Sequence, residues 1–120
     1  MFAAHYKLHN LCAIIDNNGL QIDGEVGEVM AVAPLDQKLK AFNWNVLEIN
    51  GHNISEIQNA FKAFKHSQDK PTAIIAKTVK GKGVSFMENN PNWHGTAPNE
   101  EEYKQAIKEI NIRLGELNYV

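Results

Sequence analysis

Three short apolar runs, separated by segments with helical spacing, dominate the hydrophobic pattern of the chain. The runs span residues 11–15, 45–49 and 71–76, and they have the length and the β-branched content of strands. The first is continuously apolar and the third is apolar except for Thr72, which is typical of strands buried on both faces of a parallel sheet. The pattern therefore predicts three strands, the first and third of them interior.

Apolar residues recur at helical spacing after each of the first two strands and near the end of the chain. A first helix is expected from Pro34 onward, because proline suits the first turn of a helix. Two more should begin after Asn53 and Asn99, because Glu56 and Glu102 complete a capping box with each asparagine. The predicted inward faces consist of Leu35, Leu39 and Phe42, of Ile54, Ile57, Phe61 and Phe64, and of Tyr103, Ile107, Ile110 and Leu114.

The order of these elements predicts the fold class. Residues 1–8 resemble the last two turns of a helix with no cap before it, and strands and helices then alternate to the end of the chain. Alternation of this kind predicts an α/β fold, with a parallel sheet between two layers of helices. Three strands are few for such a sheet, whose mean is about 5–6 strands, so we expect residues 1–120 to be part of a larger domain.

Composition narrows the functional classes. With 43% hydrophobic residues, 22% charged residues and a formal net charge of −2, the 120-residue chain fits one globular domain or a piece of one. Nucleic-acid binders normally carry a basic excess, and no apolar run reaches the roughly 18 residues of a membrane span, so neither partner is expected. The single cysteine, Cys12, lies in the first strand and is expected to be a buried structural residue. With no signal peptide visible, the expected compartment is the cytoplasm.

Oxygen donors follow the first predicted strand, at the end where open parallel sheets bind ligands. Residues 16–24 offer the carboxylate of Asp16, the amides of Asn17 and Asn18, and nearby backbone carbonyls. Magnesium prefers about six such oxygens, some of them from water or phosphate. The same residues are also common in simple turns, so a turn remains the alternative reading.

A second loop follows the third strand, and in it Gly81 and Gly83 alternate with Lys80 and Lys82. Glycines allow backbone N–H groups to approach a phosphate, although a solvated turn explains them equally well. Residues 92–95 contain His94, which suits a phosphate contact or acid–base chemistry, or a structural position. His5 and His9 have helical metal-site spacing, but Asn10 suggests that the helix has ended, and we expect both to be surface residues.

Four segments in order resemble the transketolase family. Residues 6–24 resemble the closing half of its thiamine-diphosphate motif, residues 42–49 its next strand, and residues 77–83 and 93–95 its later cofactor-facing loop. The likeness covers nearly the whole chain, and is especially close to the amino-terminal subunit of split transketolases. It implies transfer of a two-carbon ketol unit between sugar phosphates in the pentose phosphate pathway, with thiamine diphosphate and Mg²⁺ as cofactors.

The resemblance implies roles for individual residues around the metal. Asn18 would coordinate Mg²⁺ through its side chain and Leu20 through its backbone carbonyl. Asp16 lies in the same motif and would support the ligands from behind.

Other residues are implied to contact the organic cofactor. Ile22 would pack on the thiamine rings, and His94 would contact the diphosphate and the sugar, which makes it the candidate catalytic residue. Lys80 stands where better-known transketolases carry an apolar residue beside the cofactor, so one wall of the pocket differs here.

One part of the family motif is absent. The Gly-Asp-Gly sequence that supplies a further Mg²⁺ ligand does not occur, so the chain resembles the carboxyl-terminal half of the cofactor-binding domain. The glutamate that activates the aminopyrimidine belongs to another domain or subunit, and a dimeric or heterotetrameric assembly is expected. We expect the isolated chain to be inactive. The alternatives are a deoxyxylulose-phosphate-synthase-like enzyme, a non-catalytic complementing subunit, or a truncated fragment.

Overall fold

The computed structural model describes residues 1–22 and 24–117, which form two compact units. The first unit contains residues 1–18 and 30–78, and the second contains residues 19–29 and those from 79 onward. In chain order the elements are α1 (Phe2–His5), β1 (Cys12–Asn17), β2 (Leu20–Gln21), β3 (Gly24–Glu25), α2 (Val26–Val29), α3 (Leu35–Ala41), β4 (Asn45–Asn50), α4 (Ile54–Lys65), β5 (Thr72–Lys77), a 3-10 helix (Pro91–His94) and α5 (Glu100–Leu117).

The first unit is built on a parallel sheet with the strand order β1-β5-β4. The three strands are level: Cys12 and Asn45 both lie opposite Thr72, and Asn17 and Asn50 both lie opposite Lys77. Helices α3 and α4 pack against β4. The three predicted strands and the parallel α/β fold are therefore confirmed.

Burial is greatest along the central strand. In β5 the residues Thr72, Ala73, Ile74, Ile75 and Ala76 are all at most 8% exposed. The prediction that the first strand is buried on both faces is wrong, because Ile14 in the middle of β1 is 59% exposed. The reason is its place in the sheet: β1 has a neighbouring strand on one side only among the described residues. Cys12 is accordingly half-buried rather than fully buried.

Helix α4 begins with the predicted asparagine N-cap, but the capping box is not closed, because Glu56 accepts from the Asn50 N–H and from Asn53 Nδ2 instead of the Asn53 N–H. The Asn53 side chain accepts hydrogen bonds from the backbone N–H groups of Ser55 and Glu56, at 3.0 and 3.3 Å. Ala60 is the buried residue of the helix, and its small side chain allows close packing on the sheet. The predicted inward face is only partly correct, because Ile54 in the first turn is 67% exposed. Phe42 is also exposed, because α3 ends at the residue before it.

The second unit contains two short strands and a short helix between Leu20 and Val29, where the hydrophobic pattern predicts no element. The short strands β2 and β3 form an antiparallel pair, with Leu20 opposite Glu25 and Gln21 opposite Gly24. Helix α2 follows directly. Strands of two residues produce no detectable hydrophobic period, so the sequence gives no signal for them.

Helix α5 has the predicted start but a different packed face. Asn99 accepts hydrogen bonds from the N–H groups of Glu101 and Glu102, both at 3.0 Å, which confirms the second capping box. The predicted inward stripe is wrong, since its four residues are 39–56% exposed: Tyr103, Ile107, Ile110 and Leu114. Ala106 is buried instead, and Glu109 beside it on the same face binds the loop at Ser85. The packed side of the helix therefore combines a small buried side chain with a charged residue that bonds to the loop.

The structure also bears on the two histidines near the amino terminus and on membrane-spanning helices. His5 and His9 are both exposed, as predicted, and α1 is shorter than the two turns expected there. Among residues 1–22 and 24–117, no helix is both long enough and apolar enough to cross a membrane.

Shortening one core side chain tests the central position of β5. Ile74 is 2% exposed, so Ile74→Val should lower the free energy of unfolding by about 1 kcal/mol through lost packing. Ile54→Val is the matched control, because Ile54 is 67% exposed and should change the stability by less than about 0.5 kcal/mol. Urea unfolding followed by circular dichroism measures both. Equal losses for the two variants would contradict the assigned core.

Candidate functional site

The carboxyl ends of the three parallel strands form one edge of the sheet in the first unit. Because β1, β4 and β5 are level, the residues that follow them, Asn18, Gly51 and Thr78, leave the sheet at the same edge. Ligands of open parallel sheets bind at such edges. This is the edge at which two of the predicted site residues, Asp16 and Asn18, are located.

Asp16 is held by the neighbouring chain segment. The hydroxyl of Thr78 donates a short hydrogen bond to Asp16 Oδ1, and the Thr78 N–H approaches the carbonyl of Asn17 at 3.5 Å. The carboxylate is exposed on its strand, yet its orientation is fixed by a residue 62 positions later in the chain. Thr78 was not identified from the sequence, because nothing local links it to Asp16.

At the same edge, the backbone after β4 lies close to the end of β5. The N–H of Gly51 donates to the carbonyl of Lys77 at 2.8 Å. A Cβ atom at Gly51 would lie 2.5 Å from Thr78 Cγ2 and 3.2 Å from Ala76 Cβ, so only glycine fits without a shift. The edge is therefore packed between β4 and β5.

Oxygen donors of the kind that Mg²⁺ prefers are present, but they are few. Asn18 is half-buried directly after β1, beside the carboxylate of Asp16 and the amide of Asn17. Among residues 1–22 and 24–117, no three His, Cys, Asp or Glu residues are grouped closely enough to hold a metal ion. The residues fit a hard cation in chemistry but supply only part of the roughly six ligands that it needs.

The second unit contains the remaining members of the motif. Leu20 is half-buried in β2, paired with Glu25. Ile22 is 61% exposed, so its apolar side chain is open to contact by a ligand. Asp23, which belongs to the resembling segment, lies outside the described residues.

The glycine loop after β5 is folded on itself and does not form a phosphate cradle. The N–H groups of Lys82 and Val84 donate to Val79 and Gly81, both at 3.2 Å, and that of Gly83 donates to the Glu88 carboxylate at 3.0 Å. These three donors are already used within the protein. The phosphate-cradle interpretation is therefore wrong for them, although the loop is more ordered than a solvated turn.

Two carboxylates hold this loop in place. Glu109 accepts from the N–H and the hydroxyl of Ser85, at 2.6 and 2.7 Å, and these bonds help to lower its pKa. The bond from the Gly83 N–H is the main cause of the lowered pKa of Glu88, and the charges of Lys82 and Arg113 add to it. Neither glutamate was identified from the sequence, because an exposed glutamate on a helix or loop is common.

Lys80 and His94 lie at the two ends of this loop region. The carbonyl of Lys80 accepts from the N–H of Asn89 at 3.0 Å, which closes the loop, and the Lys80 side chain is half-buried. His94 ends the 3-10 helix and is exposed. Trp93 fixes its backbone by donating from Nε1 to the Phe86 carbonyl at 3.1 Å, while the two rings lie 5.4 Å apart. An exposed imidazole on a fixed backbone suits contact with a ligand better than a core role.

The predicted site residues are thus divided between the units. Asp16 and Asn18 lie at the sheet edge of the first unit, close to Thr78. The second unit contains Leu20, Ile22, Lys80 and His94. Burial raises the pKa of the Cys12 thiol, which makes it a poor nucleophile and agrees with the structural role expected for it.

The family model and the related proteins that match this chain all belong to one family. Residues 1–115 match the family described as transketolase, thiamine diphosphate binding domain. One subunit of the apulose-4-phosphate transketolase of Phocaeicola vulgatus is 42% identical over 117 residues, which are 98% of this chain and 42% of that protein. The 6-deoxy-6-sulfo-D-fructose transketolase subunit SqwG of a Clostridium species is 42% identical over 110 residues, covering 92% of this chain and 40% of that protein.

Solved structures agree with the sequence matches. The transketolase of Campylobacter jejuni superposes with a TM-score of 0.84 at 35% identity, over 92% of this chain and 17% of that one. The chain therefore has the fold of part of a transketolase. It also spans well under half the length of the subunits to which it is similar.

Acidification is expected to weaken the hydrogen bonds that hold the loop of the second unit. The pKa values of Glu88 and Glu109 are lowered by folding, so both contribute stability at neutral pH. That contribution should be lost as the pH falls below the usual glutamate value of 4.5 and through their lowered values. Urea unfolding at neutral and acidic pH measures the effect, and the Ser85 amide resonance reports the local titration.

Variants separate this effect from general acid denaturation. Glu109→Gln should be less stable than the wild type at neutral pH and should lose less stability on acidification. Glu116→Gln, an exposed change on the same helix, is the control and should retain the wild-type pH dependence. An unchanged pH profile for Glu109→Gln would show that the Ser85 contact does not contribute.

Proposed function

The chain belongs to the transketolase thiamine-diphosphate-binding domain family, and from this membership we propose that it is part of an enzyme that transfers a two-carbon ketol unit between sugar phosphates. The observation that carries the proposal is the match over residues 1–115, which includes every candidate site residue. Thiamine diphosphate and Mg²⁺ are the proposed cofactors, and the cytoplasm is the proposed compartment.

The proposed metal ligands lie directly after β1. Asn18 would supply its side-chain oxygen and Leu20 its carbonyl oxygen, as the resemblance implies. Asp16 would support the site without binding the metal, two residues before Asn18, and its carboxylate is oriented by the hydroxyl of Thr78. Carboxylate and amide oxygens are the donors that Mg²⁺ prefers, which supports this assignment.

The proposed contacts to the organic cofactor come from the second unit. Thiamine diphosphate, when bound, would supply both the nucleophile for the donor ketone and the electron sink for the cleaved two-carbon fragment. Ile22 offers an exposed apolar surface to its rings. His94 donates a hydrogen bond to the diphosphate or the sugar from its fixed position after Trp93, and Lys80 adds a cation to the wall of the pocket.

A complete active site requires further protein. The chain covers 42% of the Phocaeicola vulgatus relative, so the rest of such a protein is a proposed partner. A pyrimidine-binding subunit or domain is a second, in a dimeric or heterotetrameric assembly. With one side-chain ligand and one carbonyl, Mg²⁺ would be poorly held, and the isolated 120-residue chain should show no ketol transfer.

A chimera supplies the missing protein and tests the proposal. The 117 matched residues of the Phocaeicola vulgatus relative are replaced by the equivalent residues of this chain, and the product is assembled with its cognate second subunit. The chimera should bind thiamine diphosphate in a Mg²⁺-dependent manner, measured by calorimetry. It should also transfer ketol units between sugar phosphates, whereas the isolated chain should not.

Loss of the proposed metal ligand should weaken cofactor binding selectively. In the chimera, Asn18→Ala is expected to raise the Kd for thiamine diphosphate in the presence of Mg²⁺ by about tenfold or more. With EDTA in place of Mg²⁺ the two proteins should bind equally weakly. Asn111→Ala removes an exposed asparagine from α5 and is the control, with no expected change in Kd.

Other outcomes identify the alternatives. A chimera that binds the cofactor but does not use xylulose and ribose phosphates would favour a deoxyxylulose-phosphate-synthase-like enzyme. Full Mg²⁺-dependent binding by Asn18→Ala would contradict the assigned ligand. Assembly without any cofactor binding would favour a non-catalytic complementing role for this chain.

A further inference from the structure

Two asparagines of the chain are followed directly by glycine, and both stand at the carboxyl edge of the sheet. Asn18 precedes Gly19 just after β1, and Asn50 precedes Gly51 at the end of β4. An Asn-Gly pair is chemically labile, because glycine has no side chain to hinder attack by its own amide nitrogen on the amide carbon of the asparagine. Both pairs are therefore labile in an unfolded chain, and the structure determines which of them can react in the folded one.

The Asn50-Gly51 pair is held by a hydrogen bond and by packing. The N–H of Gly51 donates to the carbonyl of Lys77 at 2.8 Å, so the nitrogen that would attack is already bonded. Three atoms of residues 76–78 would lie within 3.3 Å of a Cβ atom at Gly51, so the backbone has little room to move. Ring closure at Asn50 therefore requires that the end of β4 first separates from β5.

The Asn18-Gly19 pair lacks both constraints. Within residues 1–22 and 24–117, no group accepts a hydrogen bond from the Gly19 N–H. The carbonyl of Gly19 is the bonded group instead, and it accepts from the N–H of Val26 at 2.9 Å. A Cβ atom at Gly19 would have no neighbouring atom within 4 Å. The nitrogen of Gly19 is therefore available for attack, and the peptide around it has space to change conformation.

Solvent exposure does not distinguish the two pairs. Asn50 is exposed and Gly51 is half-buried, whereas Asn18 is half-buried and Gly19 is exposed. Each pair thus has one exposed residue and one half-buried residue. The difference between them lies in the hydrogen bond of the attacking nitrogen and in the space around the glycine.

We propose that Asn18 is the preferred site of spontaneous deamidation in the folded chain. The nitrogen of Gly19 loses its proton and attacks Cγ of Asn18. The new N–Cγ bond forms, the Cγ–Nδ2 bond breaks, and ammonia leaves with the proton. Water then opens the resulting five-membered imide at either carbonyl, which yields aspartate or isoaspartate. Water is the only other reactant, and no electrons are transferred.

The reaction would alter the proposed metal site. This consequence rests on the proposed function, in which the side chain of Asn18 is a ligand of Mg²⁺. Aspartate would place a second carboxylate two residues after Asp16. Isoaspartate would add a carbon atom to the backbone and so displace the Leu20 carbonyl relative to the side chain at position 18. Protein that contains isoaspartate should therefore bind the cofactor more weakly.

Peptide mapping by mass spectrometry compares the two pairs within one sample. The 120-residue chain is kept folded at mildly alkaline pH, sampled over time and digested at acidic pH. Deamidation at Asn18 should be at least about tenfold faster than at Asn50, because Asn50 reacts only after a local opening frees the Gly51 N–H. In urea that unfolds the chain, the two rates should become similar.

Two results of this comparison would overturn the inference. One is deamidation in the folded chain that is as fast at Asn50 as at Asn18. The other is an excess of reaction at Asn18 that persists unchanged in urea, because the difference would then come from the neighbouring sequence and not from the fold.

A substitution tests whether the nitrogen of residue 19 is the attacking group. Gly19→Ala places a methyl group beside this nitrogen, where the structure has space for it, and should slow the loss of Asn18 without changing the rate at Asn50. Because Gly19 has a φ of +76°, alanine is strained there, and circular dichroism must show that the variant is folded. Loss of Asn18 at the wild-type rate in the folded variant would contradict the proposed route.

Calorimetry on the aged chimera separates this inference from the proposed function. Mg²⁺-dependent binding of thiamine diphosphate should fall in proportion to the isoaspartate content at position 18. Aged chimera that contains isoaspartate but binds the cofactor normally would confirm the deamidation site and contradict the assigned metal ligand. Chimera that binds the cofactor normally because Asn18 stays intact, while Asn50 is lost, would overturn the inference and leave the proposed function in place.

Discussion

The burial of β5 between two parallel neighbours is the constraint on which the rest of the first unit depends. Residues 72–76 are at most 8% exposed, and both β1 and β4 pair with the strand over six residues in a level register. A slip of one residue would move the end of β5 relative to the ends of β1 and β4 and would carry Thr78 away from Asp16. The contact between Thr78 and Asp16 exists only in the present register.

This constraint explains which parts of the fold could be predicted. The strands and the two asparagine N-caps are local signals, because an apolar run or a capping side chain acts on its own neighbourhood. Exposure is not local. The runs that form β1 and β5 are equally apolar in sequence, and only their positions in the sheet make Ile14 exposed and Ile74 buried. Likewise, the packed face of α5 includes Glu109, whose partner Ser85 lies 24 residues away in the chain.

In the candidate site too, the residues that are adjacent in sequence could be predicted, and the contacts between distant residues could not. Asp16 and Asn18 could be proposed because the residues of the motif are consecutive, and the sheet places them at the carboxyl edge where the chemistry of open sheets is expected. The phosphate-cradle interpretation of the glycine loop was wrong because N–H groups of the loop already have hydrogen-bond partners within the protein. Glycines between lysines are typical of phosphate binding, but here the N–H of Gly83 is taken by Glu88. Spacing alone does not reveal whether a donor is already used.

Strand β1 shows how position in the sheet decides the exposure of a side chain. Ile14 of β1, Ile74 of β5 and Leu47 of β4 are level with one another, yet Ile14 is 59% exposed, Ile74 is 2% exposed and Leu47 is half-buried. The central strand has a neighbour on both sides, whereas β1 has one neighbouring strand among the described residues. The proposed ligand Asn18 follows this less buried strand. The proposed ligands supply only part of the roughly six oxygens that Mg²⁺ prefers, so the proposed site depends on oxygen donors beyond these residues.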